Sequence, residues 1–132
     1  MTQIIPVDFL DLFKKPSIAH LATLMPDGSP QVSPVWVDYD GRYVLVNTAV
    51  DRQKDINMRR DGRVALEIQD PADFFRYILV RGEVAEITET GAEDQIDTLA
   101  LRYTGAAYKW RIPGQVRVMV KIDPEHVTTS SR

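Results

Sequence analysis

The chain has 132 residues, with 16 basic and 19 acidic side chains and a formal net charge of −3. This length fits one domain with a sizeable core, so we expect a single domain over residues 1–132. The slight acidic excess gives no overall attraction to nucleic acid or to an anionic membrane, so an anion site in this chain has to be local.

The composition excludes several kinds of chemistry. There is no cysteine, which rules out disulfides, thiolate catalysis and cysteine-ligated metals, and the only histidines are His20 and His126. We therefore expect no metal site. The chain lacks an apolar run of membrane-spanning length, and MTQIIPVDFL has neither the basic start nor the long apolar core of a signal peptide. We expect a cytoplasmic protein with no membrane or nucleic-acid partner.

The first half of the chain alternates short strands with tight turns. Helical spacing of Phe9, Leu12 and Phe13 between two prolines predicts a short helix on the core. Turn residues at 26–28 and 40–41 then separate apolar runs, as in antiparallel hairpins. The predicted strands cover residues 18–25, 31–38 and 43–48.

The second half begins with a basic helix at about 52–60. Gly82 lies inside the longest predicted strand and indicates a bulge or bend. Further strands are predicted at 64–69, 76–87 and 116–122, and a helix that ends at Gly105 lies between the last two. Residues 126–132 are polar and are expected to fray. The pattern predicts a mainly β protein with six mostly antiparallel strands in a small barrel or curled sheet.

Two cations open the helix at 52–60. Arg52 and Lys54 lie in its first turn, where backbone N–H groups lack intrahelical partners and the macrodipole is positive, and Asn47 and Thr48 end the strand before it. The arrangement favours a phosphate-bearing cofactor. Asp51 precedes the pair, and we expect it to cap the helix while offsetting part of its attraction for phosphate.

Five segments together resemble the pyridoxamine 5′-phosphate oxidase-like split-barrel flavoproteins, and more narrowly their small members that use the deazaflavin coenzyme F420. The segments are PDGSPQVSPVWV, VNTAVDRQKDINMRRDGRVAL, RGEVAEIT, IDTLALRYTG and RVMVKIDPEHV. The resemblance covers nearly the whole chain in order. It implies a six-stranded antiparallel split β-barrel of the FMN-binding type, which forms a homodimer with the cofactor in a groove between subunits.

The resemblance also assigns residues to that groove. Arg52 and Lys54 correspond to the basic pair that holds the cofactor phosphate, with Arg supplying a planar fork and Lys a point charge. The tricyclic ring is implied to lie along Gln31, Ser33, Pro34, Val35 and Trp36. Residues between ring and phosphate are implied to be Asn47, Thr48 and Ala49. From strand alternation alone, the segment with Pro30 and Pro34 favours a half-exposed edge strand, and the resemblance favours a ring-binding wall instead.

The implied function is an F420H2-dependent reductase that passes a hydride from the reduced deazaflavin to an electron-poor double bond of a small organic substrate. Two alternatives stay open: an FMN-binding oxidoreductase of the same superfamily, and an F420- or flavin-binding protein without turnover. The substrate and the catalytic residues are not specified by the sequence. Trp110, with Tyr103 and Tyr108 nearby, is either part of a substrate lip or a packing residue. His20, within a predicted strand, is expected to be a core histidine.

Overall fold

The computed structural model describes residues 1–130, in which seven strands form one antiparallel sheet. The strands are β1 Ala19–Leu24, β2 Pro30–Val35, β3 Val37–Tyr39, β4 Val44–Ala49, β5 Arg63–Asp70, β6 Asp73–Thr88 and β7 Arg117–Thr129. The helices are a 3-10 helix Val7–Phe13, α1 Gln53–Arg60 and α2 Ala92–Thr104. All three helices are short, as the sequence predicts.

The sheet curls until its two edges meet. Its strand order is β2-β1-β5-β6-β7-β4-β3, so β2 and β3 lie at opposite edges although only Trp36 separates them in the chain. The sequence predicted six strands, which was wrong: the structure has seven, because one predicted strand is two. Residues up to Val35 pair with β1 and residues from Val37 pair with β4. One segment cannot continue both ladders, so the predicted strand at 31–38 divides at the corner.

Gly82 produces the predicted bulge in the longest strand. The register between β6 and β7 shifts between Arg81 and Gly82, and a Cβ at position 82 would collide with the carbonyl oxygen of Asp123. Only glycine allows the two backbones to approach this closely. The bulge bends β6, which helps the sheet to curl.

The concave side of the sheet encloses the core. Val118, Val120 and Ile122 alternate inward along β7, as predicted, and are almost fully buried. The 3-10 helix closes the core with Leu12 and Phe13, neither of which is exposed. Burial of each such side chain stabilises the fold by about 1.5–3 kcal/mol.

Two local predictions were wrong. The predicted tail begins too early, because residues 126–129 continue β7 by pairing with the long strand β6; residues 131 and 132 lie outside the described chain. His20 is not in the core: its side chain is 50% exposed on the convex face, with Nδ1 3.1 Å from Oε1 of Glu67 on β5. Alternation of β1 buries Ala19 and Leu21 and turns His20 outward.

None of the helices in residues 1–130 has the length and apolar character needed to cross a membrane.

Candidate functional site

A cavity of about 370 Å³ opens where the corner at Trp36, the end of β4, α1, α2 and the loop 105–116 come together. Its lining has three parts. The apolar residues are Ile18, Pro34, Val35, Ile96 and Leu99. The aromatic residues are Trp36, Tyr108 and Trp110, and the polar ones are Asn47, Arg52, Lys54 and Arg117. The lining therefore carries three cations and no carboxylate.

The cations repel one another across the cavity. Burial, and then the charges of Arg52 and Arg117, lower the pKa of Lys54 below its ordinary value. Among residues 1–130, none of the three cations forms an ion pair with a carboxylate. This end of the cavity is consequently an uncompensated positive site suited to an anion.

A strained turn positions Arg52 and Lys54. Asp51 has a φ of +75°, which side chains other than glycine rarely adopt. Its backbone N–H donates to Oδ2 of Asp55 at 3.0 Å, and Oδ1 of Asp55 accepts from Nε of Arg59 at 2.8 Å. Asp55 is only 1% exposed, so it fixes the turn from beneath α1.

The expected capping role of Asp51 was wrong. The N-cap of α1 is Arg52, and no side chain forms a hydrogen bond that caps the helix there. Asp51 lies one residue too early, and its left-handed backbone faces the N–H toward Asp55. The carboxylate that organises the start of the helix is therefore Asp55, in the first turn itself.

Buried polar groups tie α1 to the sheet. Asn57 has no exposed surface; its Nδ2 donates to Oγ1 of Thr23 on β1 at 3.0 Å, and its Oδ1 accepts from Nε2 of Gln53 at 2.8 Å. Oγ1 of Thr23 in turn donates to Oε1 of Gln31 on β2 at 3.3 Å. Buried amides and hydroxyls need such partners. The chain of bonds holds α1, and with it Lys54, against β1 and β2.

Arg117 is a charged residue of the lining that the sequence did not predict. It begins β7, pairs with Ala49 on β4, and is 5% exposed. Nε of Arg117 donates to Oδ1 of Asn47 at 2.9 Å. Within an alternating strand it looks like an ordinary solvent-facing residue. Only the pairing of β4 with β7 brings it beside Arg52, so no local signal could have found it.

The aromatic residues of the lining lie next to the cations, since the ring of Tyr108 is 5.2 Å from the guanidinium carbon of Arg117. Trp36 stacks on Tyr103 with ring centroids 5.2 Å apart and an interplanar angle of 15°, and its ring lies 6.5 Å from that of Trp110. The hydroxyl of Tyr103 donates to the carbonyl of Ser17 at 2.6 Å and accepts from the N–H of Val37 at 3.2 Å. Burial raises the pKa of Tyr103. Tyr103 therefore supports Trp36 from behind and does not line the cavity.

Tyr108 and Trp110 belong to the loop 105–116, which surface contacts hold on α2. Oδ1 of Asp97 accepts from the backbone N–H of Tyr108 at 3.0 Å, and Oδ2 accepts from Nη2 of Arg111 at 2.9 Å. Arg111 also contacts Glu93. Hydrogen bonding from Arg111 lowers the pKa of Asp97. These contacts place the two rings over the cavity, where Trp110 stays 49% exposed.

The structure brings six of the ten site residues named from the sequence to this cavity: Pro34, Val35, Trp36, Asn47, Arg52 and Lys54. The other four do not line it. Gln31 belongs to the support of α1, and Ala49 is buried in the ladder with Arg117. The hydroxyls of Ser33 and Thr48 are buried without a hydrogen-bond partner in the described chain.

The family model for pyridoxamine 5′-phosphate oxidase matches residues 7–131. The chain belongs to this family. The match spans nearly the whole sequence, and it confirms the resemblance drawn from the five segments.

Solved structures with the same fold support this assignment. An F420 reductase superposes with a TM-score of 0.84 and 31% identity, over 94% of this chain and 98% of that chain. A conserved hypothetical protein from Mycobacterium tuberculosis gives 0.74 and 25%, over 98% and 86%. HupZ of Group A Streptococcus gives 0.68 and 20%, over 95% and 93%, and shows similarity of fold alone.

Proposed function

We propose that this protein is an oxidoreductase that binds reduced coenzyme F420 in the cavity and reduces an electron-poor double bond of a small organic substrate. The observation that carries the proposal is that the lining combines three unpaired cations with aromatic and apolar side chains. A ligand with a phosphate and a planar ring needs both kinds of residue. Membership of the family and the similarity to an F420 reductase support an F420- or flavin-type oxidoreductase.

The chain's own residues fit such a ligand. Arg52 presents a planar fork for phosphate oxygens and Lys54 adds a point charge, in a setting where no carboxylate competes. Pro34 and Trp36 form a wall along which a ring can lie. Asn47 also lines the cavity, together with the cations and with the wall of Pro34 and Trp36. The volume of about 370 Å³ is at the lower end of the range for small-molecule sites.

Bound reduced deazaflavin supplies the hydride, so the protein's tasks are to bind, to orient and to deliver a proton. Tyr108 is the tyrosine of the cavity lining, and its hydroxyl has no hydrogen-bond partner in residues 1–130. Tyr103 is committed to Ser17 and Val37. We infer that the proton comes from Tyr108 or from water.

We further propose that two copies of the chain form a homodimer. Val32 and Leu79 are apolar and exposed on the convex face, in a groove that also includes His20 and His126. Contact between two such faces would remove this apolar surface from water. Light scattering after gel filtration should give twice the 15.0 kDa of one chain, and Val32→Glu should shift the protein toward monomer. A monomeric wild type at micromolar concentration would reject the dimer.

The cofactor assignment is tested by fluorescence titration of cofactor-free protein with F420 and, separately, with FMN. Lys54→Ala should weaken binding of the preferred cofactor by roughly tenfold or more, as expected for a lost charge-assisted contact. Lys121→Ala is the matched control. It removes the same charge from an exposed ion pair with Glu86 and should leave the affinity unchanged.

The outcomes separate the alternatives. Preference for F420 supports the proposal, tighter binding of FMN assigns the cavity to a flavin, and binding of neither rejects it. Turnover is then measured by mixing reduced F420 with a panel of α,β-unsaturated carbonyl compounds and following the return of the oxidised deazaflavin's absorbance. Binding without turnover on any of the panel favours a cofactor-binding protein.

A further inference from the structure

Arg117 differs from the other arginines that the structure describes. It is the one buried arginine among residues 1–130, and no carboxylate pairs with it. The more exposed Arg59, Arg76 and Arg111 each form ion pairs with aspartates. An arginine that is buried without a counter-ion loses hydration that no opposite charge in the described chain offsets.

Hydrogen bonds hold the guanidinium in one orientation. Nε donates to Oδ1 of Asn47 at 2.9 Å, and Nδ2 of Asn47 donates to the carbonyl of Ala92 and to Oε1 of Gln95, each at 2.8 Å. Nη1 makes a long bond of 3.4 Å to Oε1 of Gln115. Nη2 has no acceptor within the described chain. The side chain is thus fixed at one edge and free to donate at the other.

Arg117 has cationic neighbours and no ionic partner. Burial is the main cause that lowers its pKa, and the charge of Arg52 lowers it further, whereas Tyr108 and Glu93 act in the opposite direction; Arg117 itself lowers the pKa of Lys54. The ring of Tyr108, 5.2 Å from the guanidinium carbon, faces it from the loop 105–116. Glu93 forms its ion pair with Arg111. An anion in the cavity would remove this repulsion.

We propose that Arg117 is a third anion-binding residue of the cavity, whose free Nη2 donates to a phosphoryl oxygen shared with Arg52 and Lys54. The proposal deepens the proposed function, because it rests on a phosphate-bearing ligand in the same cavity. Asn47 then acts as a positioning residue, since its Oδ1 accepts from Nε of Arg117, and Gln95 holds Asn47 in turn by accepting from its Nδ2. The free protein keeps three unpaired cations together, and a phosphate stabilises the fold by binding only the folded state.

The test measures the melting temperature of the full chain with and without millimolar inorganic phosphate or pyrophosphate, against sodium chloride of equal ionic strength. Phosphate should raise the melting temperature of the wild type, and Arg117→Met should lose this rise. Arg42→Met is the matched control, because Arg42 is exposed in the turn between β3 and β4 and lies outside the cavity lining. It should keep the full rise. Comparing the phosphate-induced rise in melting temperature between variants cancels any effect that the substitution has on the melting temperature without phosphate.

Arg117→Lys provides a second variant in case Arg117→Met does not fold. Lysine keeps the charge but lacks the planar fork with which arginine donates to Asn47 and to a phosphate at the same time. It should retain part of the phosphate effect and bind F420 or FMN at least roughly threefold more weakly. Arg117→Met or Arg117→Lys with the full wild-type rise would overturn the proposal, as would a wild type that does not respond to either anion.

Failure of the two proposals can be told apart. A wild type that responds to phosphate through Arg117 and binds neither F420 nor FMN rejects the proposed cofactor and supports the role of Arg117. A wild type that binds F420 with an affinity unchanged by Arg117→Met supports the cofactor and rejects the role of Arg117.

Discussion

The cations of the cavity and the loop 105–116 are held in different ways. The cations are fixed by groups that are themselves buried: Asp55 holds the turn before α1, Asn57 ties α1 to the sheet, and Asn47 orients Arg117. The loop of twelve residues, which carries Tyr108 and Trp110, is held on α2 through Asp97, whose partner Arg111 is 42% exposed.

This difference separates two tasks. A buried hydrogen-bond network allows one geometry, because each unsatisfied group costs free energy, and it suits recognition of a group that never changes, such as a cofactor phosphate. A loop held by exposed ion pairs is worth little to stability and tolerates change. We therefore expect the three cations to determine affinity for the cofactor phosphate and the loop 105–116 to determine which substrate is accepted.

The largest effect should come from removing both cations of α1. Arg52→Ala combined with Lys54→Ala should weaken cofactor binding by roughly 100-fold, because each loses a charge-assisted contact worth about tenfold. Fluorescence titration measures the change. Thermal unfolding of the cofactor-free variant should show no loss of stability, since neither side chain has an ionic partner in residues 1–130. A variant with wild-type affinity would place the phosphate elsewhere.

The next effect is on stability. Asp55→Ala leaves the N–H of Asp51 and the guanidinium of Arg59 without their buried acceptor, and should cost about 2 kcal/mol of the free energy of unfolding. Urea unfolding measures it. Asp94→Ala, which removes an exposed carboxylate from the first turn of α2, is the control and should change stability by less than about 0.5 kcal/mol. Equal effects would mean that the turn is not held from beneath.

A smaller effect on cofactor affinity is expected in the loop 105–116. Trp110→Ala removes a half-exposed ring from the loop and should change cofactor affinity by less than about threefold. The rate of reduced-cofactor oxidation should change instead, and by different factors for different members of the unsaturated-carbonyl panel. A loss of cofactor affinity larger than threefold in this variant would mean that Trp110 belongs to the cofactor site.

The smallest effect concerns the loop contact and pH. Arg111 lowers the pKa of Asp97 in the folded chain, so the ionised pair stabilises the loop above the unfolded carboxyl pKa of about 3.9. That contribution is lost as pH falls through the lower folded value. Tryptophan emission should therefore shift to the red below about pH 4 in the wild type. Arg111→Gln should show the shift already at neutral pH, and Trp110→Phe, which removes the reporter, should show little.

Local patterns predicted much of the fold. Alternation along Val118, Val120 and Ile122 identified a strand, Gly82 a bulge, and the basic first turn of α1 the two cations. Of the ten site residues that the resemblance assigned, six line the cavity and four do not. A resemblance assigns whole segments, whereas the packing of the strands and helices decides which side chains of a segment reach the cavity.

The sequence by itself determined most strands, the turns and the cationic start of α1, because each depends on residues close together in the chain, and it determined the family because the five segments occur in order along nearly the whole chain. Only the tertiary structure decided that the chain changes sheet edges at Trp36, that Asp55 rather than Asp51 organises the turn, and that Arg117 faces Arg52. Arg117 reaches the cavity through the register of β4 with β7, across more than sixty residues of sequence. Register of this kind is set by the packing of the whole sheet, so no window of the sequence contains it.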